Sequence, residues 1–184
     1  VKIKSLYKEK QVQEILEGYK IVSLKELGID IDVQEDKETF EENAIKKAVT
    51  ISKELNGKMC ISDDSGIEIE FLDGFPGVFT KRWHAGTDRE RNLEIIKKLN
   101  GVEKSKRKIT FTTAIALAEG DTVYTGVASI DGYVAENIRG DNGFGFDEIF
   151  ELENGKTLAE LTVEEKNEIS ARKKALEIIK SKLK

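Results

Sequence analysis

Between Ile61 and Glu70 the chain reads Ile-Ser-Asp-Asp-Ser-Gly-Ile-Glu-Ile-Glu. An apolar run meets two adjacent carboxylates, a hydroxyl and a glycine, and strict alternation follows, a pattern that predicts strand, tight turn, strand. A turn at Asp63-Asp64-Ser65-Gly66 is where acidic groups can point at a ligand. Such a pair can hold a hard divalent cation, leaving room for waters and phosphate oxygens. The same residue types also dominate ordinary turns, so the segment alone leaves both readings open.

The rest of the chain restricts the chemistry. Its 184 residues suffice for one domain, 1–184, or for two lobes sharing a sheet. Helix-like and strand-like segments alternate in a chain 39% apolar and 35% charged, which predicts an α/β protein. No apolar run approaches the ~20 residues that span a bilayer. Val1 to Leu6 lacks the apolar core of a signal peptide, so the expectation is a cytoplasmic protein without a membrane partner. Cys60, the one cysteine, lies in an apolar run and reads as a small buried hydrophobe. The net charge of −5 is spread over interspersed acidic and basic residues, which argues against nucleic-acid binding. A polyanion would then need a local pocket, a metal ion or both, which suits a free nucleotide.

Along the chain, Val1 to Leu6 predicts a first strand, and Lys8 to Tyr19 a helix with Val12, Ile15, Leu16 and Tyr19 on one face. Ile21 to Leu24 is a short strand candidate. Thr39-Phe40-Glu41-Glu42 has the form of a capping box opening a helix to about Asn56; Glu42 can serve as that cap or aim at an active site. Thr87-Asp88-Arg89-Glu90 opens a second helix, which stops at Asn100-Gly101. Lys108 to Ala118 and Thr122 to Glu136 flank Glu119-Gly120-Asp121 as a hairpin, with a bend or a further hairpin at Asp131-Gly132. Further capping boxes at Thr157 and Thr162 lead into one final helix from Val163 to Leu183, with Lys166 and Arg172 near its start. With His84 the lone histidine, zinc and a Ser-His-Asp triad have little support.

A second unusual stretch is Ile138 to Phe150, IRGDNGFGFDEIF. Phe144, Gly145, Phe146 and Asp147 place aromatic faces beside a carboxylate, which suits a planar heterocycle. They read equally as a glycine-loosened loop pinned by core phenylalanines. The order GxxxxGK[ST] is missing, so it is not a P-loop.

FEENA at Phe40 to Ala44, DDSGIEIEFLDGFPGVFTKRW at Asp63 to Trp83, GFGFDEIF at Gly143 to Phe150 and GKTLAELTVEEKNEISAR at Gly155 to Arg172 occur in this order. Together they resemble the inosine triphosphate pyrophosphatase family, also called XTP/dITP diphosphatases, over about Thr39 to Leu176. The resemblance implies an elongated α/β fold: a long mixed sheet flanked by helices, and two lobes with a nucleotide cleft between them, as a homodimer. The implied reaction is Mg²⁺-dependent hydrolysis of ITP, dITP or XTP to the monophosphate and pyrophosphate, which cleanses the nucleotide pool. Carried over by motif, Glu42 and Asp64 would hold Mg²⁺, Asp64 would accept the proton of the attacking water, and Asp63 would assist as a further metal ligand. Ser65, Phe144, Gly145, Phe146, Asp147, Lys166 and Arg172 would contact the substrate.

The chain departs from the family pattern in three places. The family's first strand leads into TxNxxK; here Ser5-Leu6-Tyr7-Lys8-Glu9-Lys10 keeps a hydroxyl and Lys10 as a substrate contact but puts Tyr7 at the Asn. A shift by one residue puts Lys8 at the Asn and Gln11 at the Lys. Ala171 stands where Ser-His-Arg has its histidine, and Glu148 where proline follows the loop aspartate. A nucleotide-binding paralogue with weak or lost turnover, and a Maf-like pyrophosphatase with another base preference, are the alternatives.

Overall fold

The structure is a computed structural model that describes residues 6–183. Helix α1 (Leu6–Ile15) is followed by α2 (Phe40–Glu54), β1 (Cys60–Ile69), β2 (Phe75–Pro76), α3 (Asp88–Lys98), β3 (Lys108–Glu119), β4 (Thr122–Val134), β5 (Phe150–Glu151), α4 (Val163–Ile169) and α5 (Ala171–Lys182). The strands form one sheet in the order β2-β1-β3-β4-β5, antiparallel at both edges, where Glu68 pairs with Pro76 and Tyr133 with Glu151. The α/β class and the β3–β4 hairpin match expectation. The strand expected over Val1 to Leu6 lies outside the described residues except for Leu6, which opens α1.

Four expectations need correction. The acidic segment is not a turn: β1 runs unbroken from Cys60 to Ile69, and Gly66 lacks the left-handed φ of Gly74 and Gly77. Side chains satisfy backbone donors there, since Thr80 Oγ1 accepts the Ile67 N–H at 3.0 Å and Asp64 Oδ1 the Ser65 N–H at 3.1 Å. Ile21 to Leu24 is not a strand. The Ser23 N–H and hydroxyl both donate to Glu26 Oε2, at 2.7 and 3.1 Å, and this local turn outcompetes a ladder. Asp131-Gly132 does not open a further hairpin, since β4 runs unbroken through it; a Cβ at Gly132 would run into the Glu151 carbonyl and the Phe150 ring, so the glycine admits β5.

The final helix is two helices, broken at Ser170 (φ −58°, ψ 120°). The break separates side chains that serve different cores. Ile169 packs with Ile67, Ile95, Phe150 and Leu158, whereas Ala175, Leu176 and Ile179 pack with Val12, Leu16, Ile61 and Leu117.

These cores belong to two compact units, Val1–Ser65 with Thr112–Ala128 and Ala171–Lys184, and Gly66–Phe111 with Ser129–Ser170. In the first, α1 packs on α5, and Leu24, Ile51 and Cys60 form a smaller cluster. In the second, α3 contributes Ile95 and Leu99 to a core completed by Ile109, Val134 and Ile149. Each large apolar side chain buried in this way contributes about 1.5–3 kcal/mol.

Candidate active site

In the first unit the pleat of β1 sends consecutive side chains to opposite faces. Ser62 points to α2, where its hydroxyl donates to the Ala44 carbonyl at 2.8 Å. Asp64, two residues on, faces the same helix, with Oδ1 3.9 Å from Lys47 Nζ. Asp63 faces the other way, and its Oδ2 accepts from Lys8 Nζ of α1 at 3.1 Å and from the Arg172 guanidinium of α5 at 2.7 Å. The strand gives each of the two carboxylates its own cations.

Their electrostatics differ accordingly. Burial would raise the Asp63 carboxyl, yet Lys8 and Arg172 hold it well below the usual carboxylate range. Asp64, its side chain 12% exposed, is pushed by burial up to about 6 against the pull of Lys47, with Glu35 adding to the rise. Lys47 Nζ itself donates to Glu35 Oε1 and to the Asp63 carbonyl, both at 2.6 Å. Asp64 Oδ2 and Arg172 Nε are buried without a hydrogen-bond partner among the described residues. A buried carboxylate oxygen without a donor is costly unless a ligand completes it.

Glu42 lies exposed in the first turn of α2. Its N–H donates to Thr39 Oγ1 and its Oε2 accepts the Thr39 hydroxyl, each at 3.1 Å, so it caps the helix. No group of three or more His, Cys, Asp or Glu with metal-binding geometry occurs among the described residues. That donor set still suits Mg²⁺, which is typically held by one or two carboxylates, waters and substrate phosphates rather than a full protein cage. Asp64 Oδ2 has no hydrogen-bond partner among the described residues, whereas Asp63 is already neutralised by two cations. Ser65 is half-buried, and Lys10 sits on the exposed side of α1.

The second unit carries the Gly143–Phe150 loop. Asp147 is buried, and its Oδ2 accepts from Lys166 Nζ at 2.7 Å and from the Phe144 N–H at 3.2 Å. Lys166 Nζ lies 5.6 Å from the centroid of the Phe144 ring, which is 62% exposed. Phe146 packs against Phe111 and Phe150, with centroids 4.9 and 6.1 Å apart. The two readings of the loop therefore divide between its aromatic residues: Phe146 pins the core, and Phe144 offers an open face.

Sequence reasoning missed Lys8 as the partner of Asp63, Lys47 and Glu35 beside Asp64, and Asp88 and Asn92 of α3 beside Gly145. Helical spacing carried part of the signal. Lys8 lies three and four residues before the buried Gln11 and Val12, and Lys47 three and four after the buried Ala44 and Asn43. Nothing in the sequence of α3 pointed to the loop.

The sequence matches the Ham1 family over residues 4–182. It is 45% identical over 176 residues to the dITP/XTP pyrophosphatase of Bacillus subtilis (strain 168), covering 92% of this chain and 88% of that one. It is 42% identical over 174 residues to the dITP/XTP pyrophosphatase of Caldanaerobacter subterraneus subsp. tengcongensis, covering 92% and 87%. Among solved structures, the Ham1 protein of Staphylococcus aureus superimposes with a TM-score of 0.89 at 32% identity over 97% of this chain and 94% of its own. A HAM1 protein from Coxiella burnetii gives 0.88 at 35% identity with the same coverage. These matches do not favour the Maf-like or the inactive alternative, and with the family matched over nearly the whole sequence, the chain belongs to the Ham1 family.

Proposed function

We propose that this chain is a nucleoside triphosphate pyrophosphatase that hydrolyses ITP, dITP and XTP to the monophosphate and pyrophosphate. The observation that carries the reading is Asp64: a buried carboxylate with one oxygen unpartnered and a carboxyl pushed up to about 6, beside an ammonium group, in a chain similar to dITP/XTP pyrophosphatases. At neutral pH that carboxylate is ionised yet basic enough to take a proton.

In the reaction, water attacks the α-phosphorus, the bond to the bridging oxygen of the β-phosphate breaks, and Asp64 Oδ2 takes the water's proton as pyrophosphate leaves. Asp64 and Glu42 would hold Mg²⁺, which would supply charge neutralisation and a more acidic water. Lys8, Lys47 and Arg172 meet the charge of the triphosphate, and Asp63 orients two of them. Ser65, at the end of the acidic pair, contacts the phosphates.

Base recognition falls to the second unit, through the Phe144 face, Lys166 and Asp147. Selection against adenine and guanine rests on polar atoms left unpaired by the wrong base. Ala171 is buried and has no polar side chain, so position 171 adds nothing to that selection. The protein acts as a cytoplasmic homodimer. Release of pyrophosphate, not orthophosphate, from ITP and XTP in preference to GTP is the direct test; folded protein that releases none with Mg²⁺ present would refute the assignment.

A further inference from the structure

Helix α3 and the Gly143–Phe150 loop belong to the same unit, and two side chains of the helix hold the loop at one residue. Asn92, 2% exposed, donates from its amide nitrogen to the Gly145 carbonyl at 2.8 Å and to Glu148 Oε1 at 3.1 Å. Asp88, one turn earlier on the same helical face, accepts the Gly145 N–H on Oδ2 at 3.0 Å. Both backbone groups of Gly145 are thus bonded to one helix. The Asn92 orientation is forced, because a flipped amide would set its oxygen against two acceptors. Glu148, where the family pattern has proline, supplies one of them.

Gly145 has φ +63°, a conformation that glycine adopts without strain. Its neighbours diverge: Phe146 turns in against Phe111, and Phe144 turns out under Lys166. The peptide geometry at Gly145 sets the angle between them. A rotation there would carry Phe144 away from Lys166 while Phe146, partly buried and packed on the core, stayed in place.

We infer that Asn92 is a positioning residue for base recognition: with Asp88 it locks Gly145 so that the Phe144 ring and Lys166 are presented together to the purine. Asn92 acts through the loop and contacts no substrate. The inference rests on the purine triphosphate reading above.

The test compares Asn92→Ala and Asp88→Ala with wild type in steady-state hydrolysis of ITP and GTP, in thermal melting and in amide hydrogen exchange. Folded N92A is expected to raise KM for ITP about tenfold, keep kcat within about threefold and narrow the preference for ITP over GTP, because the lost contacts orient the base and not the reacting atoms. The Gly145 amide of D88A should exchange about tenfold faster or more, having lost its acceptor. Unchanged KM and unchanged ITP preference in folded N92A would overturn the inference, as would a fall in kcat that is equal for ITP and GTP at constant KM. Should N92A fail to fold, D88A, whose side chain is half exposed, is judged by the same kinetic criteria. Should wild type hydrolyse no nucleotide, the functional reading fails separately. The lock is then judged by Gly145 exchange in D88A, where undiminished protection overturns it.

Discussion

Lys47 Nζ lies 3.9 Å from Asp64 Oδ1 while donating to Glu35 Oε1 and to the carbonyl of Asp63. The ammonium is therefore held by two firm contacts and offers Asp64 only a looser one. This leaves Asp64 under-compensated, which explains why burial, not the neighbouring cation, decides its protonation.

Asp64→Asn should abolish most pyrophosphate release and also stabilise the metal-free protein. The folded carboxyl titrates at about 6, against an ordinary value of 3.8. Stability contributed by the protonated form is full below the lower value and lost as pH rises through the upper one. Asparagine mimics the protonated form, so the variant should gain on the order of 3 kcal/mol above pH ~7, with the gain vanishing near pH ~4. Urea denaturation in EDTA across that range measures it. An equal midpoint for both proteins at neutral pH would contradict the burial argument.

Asp63 titrates with the opposite sign. Its carboxyl is lowered, so the stability it contributes is present above the ordinary carboxylate value and lost as pH falls below it. Asp63→Ala leaves Lys8 and Arg172 facing each other without their shared anion, and a cost of about 2–4 kcal/mol at pH ~7 is expected. Acid titration of the wild type and the variant should converge.

Lys8→Ala and Lys10→Ala separate the two lysines of α1. Lys8 reaches Asp63, and Lys10 is exposed. Replacing Lys8 should raise KM for ITP about tenfold or more, and replacing Lys10 should change it less than about twofold. Equal effects would remove Lys8 from the triphosphate grip.

Phe144→Ala and Phe146→Ala should divide binding from stability. The exposed Phe144 ring has little packing to lose, so its removal should weaken ITP binding by about 1–3 kcal/mol while the melting temperature holds. Phe146 touches Phe111 and Phe150, and its truncation should cost about 2–4 kcal/mol of stability. Calorimetric melting and ITP titration of both variants provide the comparison.

Local chemistry was legible in the sequence, and long-range geometry was not. The hydroxyls of Thr39, Thr87 and Thr162 accept the helix-start donors that their spacing implied, because a cap involves residues three apart. The hairpin at Gly120 was equally local. The turn expected at Asp63 to Gly66 failed because Ile67 takes its acceptor from Thr80, thirteen residues away. The break at Ser170 was hidden because apolar spacing tells that a face is buried, not which core buries it. Among the proposed site residues, motif order pointed to Asp63, Asp64, Lys166 and Arg172, while Asn92 had no signal beyond an amide on a helix.

The pleat of β1 makes position in the segment a matter of parity. Even-numbered Ser62 and Asp64 answer to α2, and odd-numbered Asp63 answers to α1 and α5. Deleting or inserting one residue just before Asp63 would turn each acid to the opposite face of the strand, setting an Asp against Lys47 that lacks its proper neighbours. Substitutions in this strand can be repaired one at a time, but a frame slip cannot. Length variation among relatives of this chain is therefore expected in loops such as Asp30 to Glu38, and not between Cys60 and Gly66.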